Sequence, residues 1–336
     1  MLSGRNIRKS APPPQMGLLR DETLVLRQLL GYSDAHSTPS FRPKGLGDKL
    51  QQSSLRDILF VGLDIDTFQG HEQLITDQRL HIGISILDTR ILEDMLLNPT
   101  TANYQEAITS HQFTVGGSTY CQRASKKFLF GSSQPITITE LKPRIDAVLS
   151  QRDYVLVLHG TDSDLKILRH LEIDLPTQSL YVIDTNKAAQ SPLQLYYRYN
   201  LEKLLETLRI PDANLHTSGN DAHYCRRALL LIAVFDAERH PLGHYEGLLH
   251  LFRAVAQAPR PLTRGELWQM EEPQREAHRE AKRQSKSKRK AKQAARTSRR
   301  LLQKLDREKG QTQSEETDLM AQSGLLGIGY EPEGPG

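Results

Sequence analysis

The sequence has little cysteine and no long apolar run. Its two cysteines, Cys121 and Cys225, are too few and too far apart for a disulfide framework or a zinc site of their own, so a reducing compartment is expected. No stretch approaches the roughly 20 apolar residues of a membrane-spanning helix, and the N-terminus lacks a secretory apolar core, so no membrane partner is expected. Hydrophobic residues make up only 38% of the chain, which predicts that part of it lies outside a packed domain.

Positive charge is concentrated in one segment. Residues 275–309 hold 15 Lys/Arg against 4 Asp/Glu, whereas the rest of the chain holds 29 against 36. A basic arm on a mildly acidic body is common in proteins that contact nucleic acid. The same cations also suit a nuclear import signal or a protein partner, so these alternatives stay open. The expected location is the nucleus or the cytoplasm, with a mitochondrial location as an alternative because the first 20 residues are basic and lack acids.

Composition divides the chain into three predicted segments. Residues 1–55 are rich in Ser, Pro and Gly and are predicted to be mostly disordered, with one short helix at 22–32. Residues 56–258 alternate between strand and helix patterns and are predicted to form one compact domain. Residues 259–336 are predicted to be a basic tail, helical over 274–309 and disordered from 310 onward.

Apolar patterns predict an α/β fold for the compact segment. Short continuous apolar runs suit strands buried on both faces, and longer stretches with a period near 3.6 suit helices. The strands come first and then alternate with helices, which indicates a mixed sheet with helices on its faces. The predicted strands are 59–67, 81–88, 111–115, 154–158 and 181–185, and the predicted helices are 138–151, 164–171, 201–208, 219–237 and 242–256. The stretch 116–134 is predicted to be irregular, with Lys126 and Lys127 exposed.

The first candidate site is a pair of carboxylates at the end of the first strand. Asp64 and Asp66 are separated by one residue, so their side chains share a face of the strand. Adjacent like charges are tolerated when a hard divalent cation lies between them, because such ions prefer carboxylate oxygens. A strand that runs into an acidic turn is the alternative interpretation of this pair taken alone.

Two further acidic sites follow downstream. Asp164 comes after a buried strand, and Asp221 begins a long helix five residues after His216. Each aspartate alone could simply stabilise a helix N-terminus, where the helix dipole favours an anion. However, ligands of α/β sheets gather at the carboxyl ends of strands, where the first two sites both fall.

In this order, the three sites resemble the motifs of the DEDDh exonucleases of the ribonuclease-H-like superfamily. That family has Asp-x-Glu at the end of the first strand, then Asp followed by an apolar residue, then His, four residues and Asp. The matching positions here are Asp64-Ile65-Asp66, Asp164-Leu165, and His216 with Asp221. Asp162 competes with Asp164, but the spacing to Leu165 and Leu168 favours Asp164. The sister subfamily has Tyr four residues before the last Asp, where this chain has Thr217, so the His subtype fits.

Three other segments strengthen the resemblance, which covers about residues 56–239. HIGISILDTR at 81–90 and YVIDT at 181–185 resemble strands of the family. FLFG at 128–131 resembles a segment of a largely fungal branch related to a yeast mRNA-export-linked suppressor protein of the DEAD-box helicase pathway. The resemblance implies an α/β, ribonuclease-H-like, mixed five-stranded sheet with helices on both faces.

The resemblance also implies a chemistry, namely 3′–5′ exonucleolytic hydrolysis of nucleic acid, with RNA favoured over DNA. Asp64, Asp66, Asp164 and Asp221 would hold two Mg²⁺ or Mn²⁺ ions, and His216 would take the proton from the attacking water. An unperturbed imidazole pKa near 6.5 suits a general base at neutral pH.

One residue departs from the family pattern. The second acid of the family is Glu, whereas this chain has Asp66, whose carboxylate reaches roughly 1.5 Å less far. Since the ions of two-metal sites lie ~3.5–4 Å apart, a water could fill the difference, or the site could be disabled. The alternative function is therefore a catalytically weakened ribonuclease-H-like domain that binds RNA or tethers a partner in mRNA processing or export.

Overall fold

The computed structural model describes residues 17–32, 46–67, 79–149, 152–239 and 245–323. Contacts divide the chain into two units, one ending at Arg264 and the other starting at Gly265. Much of the disorder predicted for 1–55 falls outside the described ranges, and the predicted boundaries at residues 56 and 259 stay predictions. In the part of the chain that the structure describes, no helix is both long enough and apolar enough to cross a bilayer.

Among the described residues, a mixed sheet of six strands forms the centre of the first unit. In spatial order the strands are β4 (Ser133–Pro135), β3 (Ile108–Val115), β2 (Leu80–Asp88), β1 (Leu59–Thr67), β5 (Tyr154–Leu158) and β6 (Tyr181–Asp184). β2 pairs antiparallel with β1 and β3, and the other neighbours pair in parallel. The α/β class is confirmed, but the expected number of five strands is wrong by one. β4 has three residues and contains Pro135, so no apolar pattern reveals it, and only an edge strand tolerates such a proline.

Helices cover both faces of the sheet, as predicted. The helices of the first unit are α1 (Asp21–Leu30), α2 (Thr89–Leu97), α3 (Ser118–Lys127), α4 (Ile138–Leu149), α5 (Thr161–His170), α6 (Leu175–Gln178), α7 (Thr185–Ala188), α8 (Leu201–Leu208), α9 (Ser218–Arg239) and α10 (Glu246–Ala256). β1 divides its side chains between two hydrophobic cores, because Phe60 packs with α9 whereas Leu59 and Val61 pack with α4 and α5. The even-numbered positions of β1, Asp64 and Asp66 among them, therefore face α9.

α1 belongs to the packed core of the first unit, although the sequence placed it in a mostly disordered segment. Its apolar stripe is fully buried in the same core as α9 and consists of Val25, Leu26, Leu29 and Leu30. Arg27 Nε and Nη2 also donate to the Asp236 carboxylate of α9 at 2.7 and 2.8 Å. The periodicity predicted the helix correctly, but periodicity does not say which surface covers an apolar stripe.

The stretch 116–134, predicted to be irregular, contains both α3 and β4. α3 was missed because its buried residues, Cys121 and Ala124, are too small and too few to give an apolar stripe. Lys126 and Lys127 at the end of α3 are exposed, as predicted.

The second unit contains one long helix, α11 (Arg264–Ser323), which extends beyond the predicted end at residue 309. Disorder was predicted from residue 310, but the Gln, Glu, Ala and Met residues that follow Gly310 are good helix formers and sustain the helix. From Ala281 to Leu305 the helix carries 11 Lys/Arg and no Asp/Glu, and these side chains are exposed. Residues 324–336 lie outside the described part.

Candidate acidic site at the carboxyl ends of the central strands

Asp64 and Asp66 lie side by side on the carboxyl half of β1. The antiparallel register with β2 places Asp64 opposite Gly83 and Asp66 opposite His81. Both aspartates are half-buried residues, and the side chain of Asp66 keeps 45% of its surface exposed. The pair therefore stands at the mouth of the site, with one face open to solvent.

Asp164 reaches the same edge of the sheet from α5. β5 is parallel to β1, so both strands end at this edge, and α5 begins three residues after β5. Asp164 is buried and accepts a hydrogen bond from the backbone N–H of Ile65, between the two aspartates of β1. The side chain of the competing candidate, Asp162, lies outside the described part of the structure, so the choice of Asp164 rests on this contact.

Asp221 enters from the first turn of α9. Its Oδ2 accepts a hydrogen bond from the backbone N–H of His216 at 3.0 Å, and its Oδ1 is buried without a hydrogen-bond partner among the described residues. His216 itself is exposed and has a φ of 60°, a left-handed conformation that is uncommon for a residue with a side chain. The carboxylate therefore holds the turn that presents the imidazole beside the site.

Two glycines let α9 approach the strands closely enough to deliver Asp221. A Cβ on Gly83 would lie 2.0 Å from the Ser218 carbonyl oxygen of α9, and a Cβ on Gly62 would lie 3.0 Å from the Ala222 carbonyl oxygen of the same helix. The contact is fixed by hydrogen bonds, because Ser218 Oγ donates to the His81 carbonyl at 2.9 Å and Ser85 Oγ donates to the Ala222 carbonyl at 2.6 Å. A larger residue at Gly62 or Gly83 would therefore push α9, and with it Asp221, away from the sheet.

Burial and mutual repulsion shift the carboxylates toward their protonated form. Burial raises the pKa of Asp64 to about 7, against the opposing effect of the Ser218 hydroxyl and with a further increase from the charge of Asp66. A carboxyl group with this pKa holds its proton near neutral pH unless a cation replaces the proton.

The pKa values of the two buried acids, Asp164 and Asp221, shift in the same direction. Burial and the charge of Asp64 raise the pKa of Asp164 to about 8, although the Ile65 N–H lowers it. Burial and Asp64 likewise raise the pKa of Asp221 to about 8, although the His216 N–H lowers it. The structure thus brings together all four predicted acids, with Asp64 at the centre of the electrostatic network.

The residue types suit divalent metal ions. Carboxylate oxygens are the ligands that hard cations prefer, and the unpartnered Oδ1 of Asp221 is a buried acceptor that a cation would satisfy. Within the described ranges, no three His, Cys, Asp or Glu side chains are arranged as an already formed metal site. The acids fit the group by their chemistry.

Sequence reasoning missed His81 and Tyr120, and it identified Lys127 only as an exposed residue without placing it near the acids. His81 Nε2 lies 3.5 Å from Asp66 Oδ2, and its Nδ1 lies 2.7 Å from the Tyr120 hydroxyl. Burial lowers the pKa of His81, Asp66 opposes this effect, and the charge of Lys127 lowers the pKa further, which places Lys127 near the site. The contact between His81 and Asp66 depends on the register of β1 against β2. A local sequence pattern does not contain that register, so it could not predict the contact.

The mixed sheet, its helical layers and the acids at the strand ends define a ribonuclease-H-like domain. The family model described as DNA polymerase III subunit epsilon-like, C-terminal domain (DEDDh_C) matches residues 59–232, which is more than half of the chain. The chain therefore belongs to the DEDDh family. This family consists of exonuclease-type domains that act on nucleic acid, and its members generally use divalent metal ions.

Among curated proteins, the chain is similar to the protein named Good for full DBP5 activity protein 2 from Saccharomyces cerevisiae. The two are 28% identical over 203 residues, a match that covers 51% of this chain and 34% of the yeast protein. The predicted relation to a fungal branch of the DEDDh family is thereby confirmed. The matched region spans about a third of the length of the yeast relative, whose name refers to DBP5 activity.

Proposed function

We propose that this protein is a metal-dependent 3′–5′ exonuclease with RNA as its favoured substrate. The observation that carries the proposal is the convergence of four acids from three segments of a DEDDh chain, namely Asp64, Asp66, Asp164 and Asp221, three of which have raised pKa values. These four residues would hold two Mg²⁺ or Mn²⁺ ions, which when bound supply a polarised water and stabilise charge on the scissile phosphate.

The protein's own groups orient the reactants and move the proton. In this proposal the imidazole of His216 accepts the proton from the attacking water. Two observations support that role: His216 is exposed, and its backbone N–H donates to Asp221 of the acidic site. Lys127 is exposed near His81 and supplies positive charge for a substrate phosphate. The half-exposed Asp66 leaves the site open on the side from which a nucleic-acid end would enter.

A second candidate function is supported by Asp66 itself. If the shorter carboxylate does not complete the metal site, the domain would bind RNA or tether a partner in mRNA processing or export without turnover. The DBP5 connection in the name of the yeast relative is compatible with either function. A nuclease assay separates the two.

We expect the full chain to shorten a 5′-labelled RNA oligonucleotide from its 3′ end in Mg²⁺ or Mn²⁺ and to stop when EDTA is added. A circular RNA of the same composition should resist, because it has no 3′ end, and DNA of the same sequence should be degraded more slowly. Absence of degradation of any linear substrate would favour the binding function. Cleavage of the circle would contradict the exonuclease assignment.

Metal should stabilise the protein in a pH-dependent manner. The raised carboxyl pKa values mean that the folded state holds protons which the unfolded state releases above pH ~4. The stability of the metal-free protein should therefore fall as the pH rises toward 7–8. Mn²⁺ should restore it, by about 2.7 kcal/mol at a hundredfold excess over its Kd.

The measurement is the unfolding temperature with and without Mn²⁺ at pH 5.5 and pH 8. The increase should be larger at pH 8, because at pH 5.5 the ion competes with protons. Asp146→Asn provides a matched control, since Asp146 is an exposed residue of α4 paired with Lys142. If Mn²⁺ produced no increase at pH 8, the metal site would be refuted.

The basic stretch of α11, residues 281–305, should bind the phosphate backbone without sequence preference. We expect replacement of Lys286, Lys288, Arg289 and Lys290 by Gln, which keeps helix propensity, to weaken RNA binding and flatten its salt dependence. Each lost phosphate contact should reduce the log–log slope by about 0.7–0.9. Degradation of a short saturating substrate should be nearly unchanged.

The matched control is Arg275→Gln, because Arg275 Nη2 is already paired with Glu271 at 2.6 Å. An unchanged salt slope in the four-residue variant would assign the basic segment to nuclear import or to a protein partner instead. The predicted location, nucleus or cytoplasm with a mitochondrial alternative, stays a prediction.

A further inference from the structure

The residue opposite the shortened acid is a buried histidine. The β1–β2 register pairs Asp66 with His81, and residues directly opposite each other in an antiparallel pair project from the same face. The two side chains differ strongly in exposure, because His81 is 8% exposed and Asp66 is 45% exposed. His81 therefore lies beneath Asp66, on the protein side of the carboxylate.

The contacts of His81 fix its ring and direct one nitrogen at Asp66. Nδ1 lies 2.7 Å from the Tyr120 hydroxyl of α3, and the ring of Tyr120 is tilted against the imidazole at a centroid distance of 6.0 Å. The His81 carbonyl is held by Ser218 Oγ at 2.9 Å. Nε2 is buried, makes no well-formed hydrogen bond with the described residues, and lies 3.5 Å from Asp66 Oδ2, while the ring also faces the His216 backbone carbonyl.

One tautomer satisfies both contacts, because a proton on Nδ1 would leave the Nε2 lone pair facing the Asp66 carboxylate. A neutral imidazole has one donor and one acceptor nitrogen, and a tyrosine hydroxyl that donates to Nδ1 leaves the proton on Nε2. The Nε2–H then points toward a carboxylate that sits slightly beyond ordinary hydrogen-bonding distance. A small rotation of the exposed Asp66 side chain closes this gap, whereas the buried ring is held in place.

We propose that His81, oriented by Tyr120, is a positioning residue for Asp66 and holds the short carboxylate in the orientation that metal binding requires. Partners of this kind orient ligating carboxylates, and their loss typically lowers metal affinity by 10- to 100-fold. This role compensates for the departure from the family pattern, since a carboxylate that is one methylene shorter needs a fixed direction to reach its ion. The inference rests on the proposed function.

The test is the affinity for Mn²⁺ alone, measured by calorimetry at pH 7.5 without substrate. His81→Leu should lower the affinity by roughly 10- to 100-fold. His81→Gln places an amide N–H near the position of Nε2 and should retain most of the affinity. Tyr120→Phe removes only a hydroxyl, keeps the ring packing, and should weaken binding several-fold because Nδ1 is then free to take the proton.

A comparison with Asp66→Glu isolates the coupling. The longer carboxylate should depend less on His81, so His81→Leu should cost less affinity in the Asp66→Glu background than in the wild type. Equal losses in both backgrounds would mean that His81 acts through general packing, and the proposal would then be overturned. Loss of affinity in His81→Gln equal to that in His81→Leu would overturn it as well.

Failure of this inference is distinguishable from failure of the proposed function. If the wild type binds no Mn²⁺, the metal site itself is absent and both fall. If the wild type binds Mn²⁺ and both His81→Leu and Tyr120→Phe bind it equally well, only the role of His81 falls. The unfolding temperature of each metal-free variant shows whether a loss reflects misfolding, and Tyr120→Phe decides the outcome if His81→Leu does not fold.

Discussion

Replacement of Asp64 by Asn is expected to abolish metal-dependent hydrolysis and to stabilise the metal-free protein at pH 8. Asp64 is the central charge of the site, because it raises the pKa of both Asp164 and Asp221. The substitution preserves shape and removes that charge, so the two remaining buried acids ionise at lower cost. A metal site supplies several kcal/mol of transition-state stabilisation, and loss of that amount corresponds to a rate decrease of about 10³-fold or more.

Two measurements on Asp64→Asn test this expectation together. The rate on a 5′-labelled RNA reports the chemistry, and the unfolding temperature without metal at pH 8 reports the relief of repulsion. The control Asp146→Asn also removes one carboxylate, but from an exposed pair on α4, and should change neither quantity appreciably. An active Asp64→Asn protein would refute the mechanism. An unchanged unfolding temperature would show that Asp64 is not ionised in the metal-free state at that pH.

Loss of the His216 imidazole is expected to lower the rate by about 10²–10⁴-fold, the usual range for a general base. The substitution must respect the backbone, because His216 has a φ of 60°. Asn and Gly tolerate this conformation, whereas Ala adds strain to the same turn. His216→Asn and His216→Gly also retain the backbone N–H that donates to Asp221, so the metal site should keep its Mn²⁺ affinity.

Free imidazole provides a specific readout for this role. In His216→Gly the side chain is gone from an exposed position, so added imidazole should partly restore the rate, while it should do nothing for Asp64→Asn. Restoration together with unchanged Mn²⁺ affinity supports proton transfer by His216. Full activity of both His216 variants in the absence of imidazole would assign the proton to another acceptor.

The hydrophobic pattern of single segments was enough to predict the buried strands and the longest helix of the first unit. Continuous apolar runs marked β5 and β6, and the long apolar core of α9 marked that helix within one or two residues at either end. The order of Asp64, Asp164 and Asp221 indicated the family. The position of each acid relative to the neighbouring strand or helix can be read from the sequence without knowing how the strands pair. β4 and α3 were missed because one is a three-residue edge strand and the other buries only small side chains.

The amino-acid sequence by itself determined which residues carry carboxylates, where the strands end, and that an acidic body is joined to a basic helix. Tertiary structure decided the pairing of Asp66 with His81, the burial of α1 in the core, and the hydrogen bond from Ile65 that draws Asp164 toward β1. The physical reason is that charge and periodicity are properties of single segments. Register, burial and pKa depend on which surfaces meet, and here two glycines in different strands allow α9 to meet the sheet closely enough to assemble the site.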